Sequence, residues 1–210
     1  MRDVFRRSAF MSTQLPTEYT AIMTGEPFLY FELRQIARLK YGGLSLEEIR
    51  RKVYEENTFQ YKTNKSVGRV LAAVIRRLNV LDDTLLHFCV NGSKDTSRLV
   101  ALYGVAKTNL LFFEFLEEVY REKRILGDEA LTSKDMRTFF SNKKQESDKV
   151  ASWSELTIRK LSSVYKRVAH EAGLIDSDQI AIPPFVEESL EQHLLSIGDH
   201  RFLTILSEVR

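Results

Sequence analysis

The sequence contains a single cysteine, Cys89, so it cannot form an intramolecular disulfide or a cysteine-based zinc cluster. That usage fits a reducing compartment, and a cytoplasmic location is the expectation. Proline and glycine are sparse, 4 and 9 in 210 residues, which excludes collagen-like or linker-rich chains and favours helix. Nothing approaches the roughly 18 consecutive apolar residues of a membrane span. The most apolar run, Leu110-Leu111-Phe112-Phe113-Glu114-Phe115-Leu116, is short and carries a charge. Gly-rich phosphate loops, His-Glu-x-x-His and Gly-x-Ser-x-Gly are all missing. Without them neither an enzyme nor a cofactor is expected. A strong excess of one charge is lacking too. The net charge is only +2, so the placement of cations, not their sum, must decide whether the chain meets nucleic acid.

What remains is an ordinary globular composition, 43% hydrophobic and 29% charged, long enough to bury a core. Residues 1–16 read as a loose tail, with Met11 a rival start to Met1. Residues 27–41 read as a helix stopped by Gly42-Gly43. Ser45 with Glu48 forms a capping box for a helix over 46–56. A polar turn over 57–63 follows, and Asn64 caps a helix to Leu78. Asp82 and Asp83 cap the next. Residues 95–125 read as a buried helical region with a break near Gly104, stopped by Gly127. Thr132 or Ser133 caps a helix, 142–149 reads as a polar loop, and Ser154 caps a long helix to Ala172. Residues 174–182 read as a β-hairpin with an acidic tip at Asp176 and Asp178. The expected fold is therefore mainly α: a compact multi-helix protein with helix-turn-helix and winged-helix-like elements and one small hairpin. Its regions would be 17–92, 93–130 and 131–210.

Two helices carry a cationic face. On residues 64–78, Val67, Val70, Leu71, Val74 and Leu78 share one side, while Lys65, Arg69, Ala72 and Arg76 share the other. Arg77 flanks this stripe, Lys62 precedes it, and no acid lies between Glu56 and Asp82. Such a helix can follow a phosphate backbone or enter a major groove. The small Gly68 and Ala72 would permit close approach. Lys62, Lys65, Arg69, Arg76 and Arg77 are the candidate phosphate contacts, and Asn64 and Ser66 the candidates for reading base edges. Reversing Arg69 and Arg76 is the test the sequence suggests. On the helix after Ser154, Arg159, Lys160, Lys166 and Arg167 offer a second surface. The bland reading of either stripe is a solvated helix face.

Other features have plainer readings. His87, His170, His193 and His200 are scattered and read as helical surface residues, with no metal site expected. Cys89 lies in an apolar run and reads as a small buried hydrophobe. Glu117-Glu118 and Glu187-Glu188 read as surface charge, because adjacent helical residues do not face each other. Trp153 reads as a packing residue set for a staple against Ile158.

Four segments together carry a resemblance. They are Tyr19-Thr20-Ala21-Ile22-Met23-Thr24-Gly25 with Glu32-Leu33-Arg34; Glu56-Asn57 through Arg76-Arg77-Leu78; Phe115-Leu116-Glu117-Glu118-Val119-Tyr120-Arg121-Glu122; and Trp153-Ser154-Glu155 through Gly173-Leu174-Ile175. From about Tyr19 to near the C-terminus the chain resembles the BrxA family, the small A component of bacteriophage exclusion (BREX) defence systems. The resemblance implies a helical protein with helix-turn-helix or winged-helix-like elements that binds duplex DNA without known catalysis. It also implies action beside other BREX proteins, including a methyltransferase, an ATPase and a phosphatase-like component. An older inner-membrane label for such sequences sits poorly with the lack of a span. An assembly adaptor and an RNA-binding helical protein like an antitermination factor stay open as alternatives.

Overall fold

The computed structural model describes residues 14–127 and 130–207. Most of the expected tail, and Met11 with it, lies outside the described residues, but Leu15 already packs against the core. A 3-10 turn at Ile22–Thr24 leads to α1 (Tyr30–Tyr41), which starts three residues later than its sequence pattern suggests. The cause is distant in sequence. Arg77 donates from Nη1 to the Phe28 carbonyl and from Nη2 to the Glu26 carbonyl, both at 2.7 Å. These carbonyls are thereby withheld from a helical ladder, and Leu29 stands at the N-cap in the left-handed region, φ 52°.

Local signals set the next elements. Ser45 and Glu48 form the expected capping box of α2 (Leu46–Glu55). Asp82 caps α4 (Asp83–Asn91) by accepting from the Leu85 amide at 2.8 Å. Helix α3 (Asn64–Leu78) is capped one residue earlier than expected: Thr63 accepts from the Ser66 amide, and Asn64 is the first helical residue.

Helix α5 (Lys94–Thr108) runs through the centre, buried on nearly every side. It does not break at Gly104. The break comes at Asn109, whose side chain accepts from the Phe112 amide at 2.9 Å and restarts the chain as α6 (Leu110–Phe115) after a 120° bend. Gly104 instead lets α5 approach α3: a Cβ there would lie 3.2 Å from the Arg77 carbonyl oxygen. Gly104→Val should therefore cost about 1–3 kcal/mol by overpacking, read as a lowered urea midpoint. A π-helical stretch, Leu116–Tyr120, joins α6 to α7 (Arg121–Leu126). The neighbouring Glu117 and Glu118 diverge from it and are not idle surface charge: Glu117 accepts from Arg201, and Glu118 accepts from Lys143 at 2.6 Å.

Lys143 overturns the expected polar loop at 142–149. It is buried, and besides Glu118 it pairs with Glu114 and Glu146, both at 2.9 Å. Helix α8 (Ser133–Glu146) therefore runs through it, and Ser147 then caps a short α9 (Asp148–Ala151). Helix α10 (Glu155–Glu171) starts at Ser154 as expected. No strand forms at 174–182 among the described residues. An isolated antiparallel bridge pairs Ile175 with Ala181, and another pairs Ala130 with Ile180. The Asp176 carboxylate turns inward to accept the Asp178 and Ile180 amides, closing a turn too short for a ladder.

Helices α11 (Glu188–Ser196) and α12 (His200–Leu206) fold back over α4 and α5. His193 meets Asp82 at 2.8 Å, and Glu187 accepts from Thr96. Asp199 takes Lys107 at 2.7 Å and the Tyr103 hydroxyl, all three side chains being buried. One apolar core extends from Met23 to Leu206, and within it Phe112, Phe115, Phe140 and Tyr165 pack in stacked, tilted and edge-on pairs at centroid distances of 5.1–6.0 Å. No single helix among the described residues is long and apolar enough to cross a membrane, although α5 and the helix after Asn109 would pass together by length and composition.

Burial holds the phenols of Tyr19 and Tyr61 up at about 12, helped by hydrogen bonds to Glu114 and Glu32 respectively. Burial also raises Tyr103, Tyr120 and Tyr165. An unfolded phenol titrates near 10. Below that pH both states keep the proton and the fold is fully supported. Above it the unfolded chain sheds protons first, so stability falls from about pH 10 upward, through about 12 for Tyr19 and Tyr61. Urea midpoints should hold between about pH 8 and 9 and decline between about pH 10 and 11.

Candidate nucleic-acid interface

The α2–turn–α3 unit is built around a strained connection. Asn57 and Gln60 take positive φ, 44° and 56°. The Asn57 side chain donates to the Tyr61 carbonyl, and Phe59 is buried beneath. Tyr61 reaches across to α1 and donates to Glu32 at 2.6 Å. These ties fix where α3 begins relative to α1 and α2.

The predicted stripe divides into two halves. Lys62, Asn64, Lys65 and Arg69 are exposed, and none of the three cations has a salt bridge among the described residues. Arg76, by contrast, is ion-paired with Glu26, a carboxylate only 7% exposed. Arg77 is 1% exposed and faces inward on the carbonyls of Glu26 and Phe28, so its assignment as a phosphate contact is corrected. Sequence periodicity separated α3 into core and outer sides. It held no sign that α5, at Gly104, would cover the flank on which Arg77 lies, nor that Glu26, fifty residues upstream, would meet Arg76.

Ser66 is half-buried and engaged by Thr63, whose hydroxyl donates to it at 3.0 Å, whereas Asn64 keeps its amide to solvent. Ala72 is exposed as anticipated, but the room beside Gly68 is already filled: the Tyr54 hydroxyl lies 2.7 Å from where a Gly68 Cβ would be. Sequence reading passed over Tyr54 and Arg50, which are both exposed and lie four residues apart on α2. The available signal was that i, i+4 spacing beside a small residue on the facing helix.

On α10, Arg159, Lys160 and Arg167 are exposed and Lys166 is half-buried. The 3-10 turn relates the two surfaces. Helix α10 packs against Ile22–Thr24, and a Cβ at the adjoining Gly25 would lie 3.6 Å from Arg69 Nη1. None of the four α10 cations has a salt bridge among the described residues, and Lys144 pairs with Glu155 at the start of the same helix. Elsewhere, Cys89 is buried with its thiol pushed up to about 11 by that burial. Trp153 packs partly buried against the core.

Comparison with known proteins now fixes the family. The model of BrxA matches residues 17–198. The chain belongs to the BrxA family. It is 34% identical over 191 residues to the BREX protein BrxA of Bacillus cereus (strain H3081.97), covering 90% of this chain and 96% of that one. To the BREX protein BrxA of Escherichia coli O9:H4 (strain HS) it is 22% identical over 178 residues, 84% of each chain. The crystal structure of an uncharacterized protein from Magnetospirillum magneticum superposes with a TM-score of 0.74 at 20% identity, covering 90% of this chain and 98% of that one. At that identity the likeness shows a shared fold. BrxA membership places the chain among the components of BREX antiviral defence.

Proposed function

We propose that this BrxA family member is a non-catalytic, cytoplasmic component of BREX defence that binds duplex DNA chiefly through phosphate contacts. The observation that carries the reading is the group of exposed cations, Lys62 just before α3 and Lys65 and Arg69 on its first turns, none with a salt bridge among the described residues. Fixed charges of one sign on a rigid helix face release counterions when they meet a duplex. Their place on the second helix of α2–turn–α3 supports a helix-turn-helix docking mode. Asn64 is then best placed to touch a base edge. Arg159, Lys160, Lys166 and Arg167 supply a secondary surface, with the 174–182 turn lying where a wing would follow α10. The test is duplex binding by Lys65→Glu/Arg69→Glu over a salt series, with structured RNA as competitor. Wild-type affinity in that variant would refute the reading, and stronger competition by RNA than by DNA would transfer it to RNA.

A second reading, an assembly adaptor for other BREX proteins such as the methyltransferase, ATPase or phosphatase-like component, is favoured by a different surface. Phe185 and Leu126 are 75% and 69% exposed beside a cleft of about 460 Å³ lined by Arg124, Pro183, Pro184 and Val186. Co-purification of those proteins after nuclease treatment, with no duplex binding by the isolated chain, would favour it.

A further inference from the structure

Of the eight tyrosines, six place their hydroxyls on partners inside the fold: Tyr19, Tyr30, Tyr41, Tyr61, Tyr103 and Tyr120. Tyr165 is buried in the aromatic stack. The Tyr165 hydroxyl lacks a partner too but is buried, so among the described residues Tyr54 alone is both exposed and unpartnered. It is 46% exposed, and its hydroxyl has no hydrogen-bond partner among the described residues. That hydroxyl rests against the bare backbone of Gly68.

The place matters because of what surrounds it. Gly68 lies one turn after Lys65 and directly before Arg69, so positions 65, 68 and 69 share one face of α3. A neutral donor, carried by α2, therefore stands on the Lys65 edge of the cationic stripe with its hydrogen uncommitted, while the Arg69 guanidinium lies on the other edge, over Gly25. A phosphodiester oxygen is the ligand that suits a cationic donor and a hydroxyl donor offered side by side from two helices. Glycine in the interior of a helix weakens it relative to alanine. Here the missing side chain provides the seat for the hydroxyl.

Resting on the duplex reading above, we infer that Tyr54 is a phosphate-binding residue, donating to the same backbone phosphate as Lys65 while Arg69 takes a neighbouring one, and that Gly68 is the positioning residue that admits it. Nearby cations release counterions on binding, whereas a phenol releases none, so the hydroxyl contributes affinity without salt dependence.

The experiment uses the full chain and a fluorescently labelled duplex, with anisotropy read over a salt series and thermal unfolding recorded for each variant. Tyr54→Phe removes one oxygen and should weaken binding roughly 10-fold, the loss expected for a hydrogen bond to a charged group. The slope of log affinity against log salt should stay at the wild-type value. Gly68→Ala displaces only the end of a flexible side chain, so it should fold with an equal or higher midpoint yet bind about as weakly as Tyr54→Phe. The double variant should be no weaker than either single one. Arg69→Ala, as reference, should weaken binding and flatten the slope by about one. Wild-type affinity for Tyr54→Phe with a weakened Arg69→Ala would overturn the inference and leave the duplex reading standing. Wild-type affinity for both would remove the duplex reading and the inference together.

Discussion

Arg77→Ala should lower the stability of the protein by about 3–5 kcal/mol, the range for leaving buried charged-group partners unsatisfied. For a chain of this size that corresponds to a fall of roughly 10 °C in the unfolding midpoint. The guanidinium is 1% exposed, and burial draws its pKa down to about 10 against the opposing pull of Glu26. Its removal leaves the carbonyls of Glu26 and Phe28 without donors, at about 1–3 kcal/mol each, and opens a space beneath α1. Arg77→Lys should recover only part of the loss, because a single ammonium does not reproduce the two-pronged contact. Urea unfolding followed by circular dichroism decides the matter, and a midpoint equal to wild type would show that Arg77 is not a keystone between α1 and α3. Any DNA-binding defect in this variant would follow from unfolding.

Lys65→Glu/Arg69→Glu should have the opposite profile: an unchanged midpoint and a large loss of duplex affinity. Neither residue has a salt bridge among the described residues, so surface reversal should shift stability by no more than about 0.5 kcal/mol. A charge-assisted contact contributes about 1.5 kcal/mol at the low end, so losing two predicts roughly 100-fold weaker binding, before the added repulsion. The salt slope should fall by about two. Arg76 does not belong in this variant. It is paired with the buried Glu26 carboxylate, and reversing it would set two acids against each other and confuse folding with binding. The pair Arg69 and Arg76, natural on a helical wheel, is therefore the wrong pair to test in three dimensions.

That exchange illustrates what the sequence could and could not convey. Ser45, Asp82 and Ser154 were legible as caps because each acts on an amide three residues away. The apolar side of α3 was legible because its period is local. Arg77, Glu26 and Lys143 were not, since each owes its role to a partner contributed by another element. Arg77 lies about fifty residues from the carbonyls it holds, and Lys143 lies 25 residues from Glu118. Asn109 was overlooked beside the more conspicuous Gly104, although its amide side chain is the better cap. Of the candidate contacts, the half of the stripe nearest the polar turn kept its solvent face and the far half did not. The hydroxyl of Tyr54 was invisible because nothing in α2 alone shows that Gly68 will lie under it.

The pairing of Asp199 with Lys107 and Tyr103 has a consequence for the order of assembly during synthesis. A ribosome releases α5 long before it releases residue 199, and until then an ammonium and a phenol destined for the interior have no acceptor. Docking the central helix before then would bury both groups without the carboxylate that arrives 92 residues after Lys107, at a cost of several kcal/mol. The last helices are therefore expected to complete the packing of the middle of the chain, and a nascent chain arrested before Asp199 should remain protease-sensitive within α5.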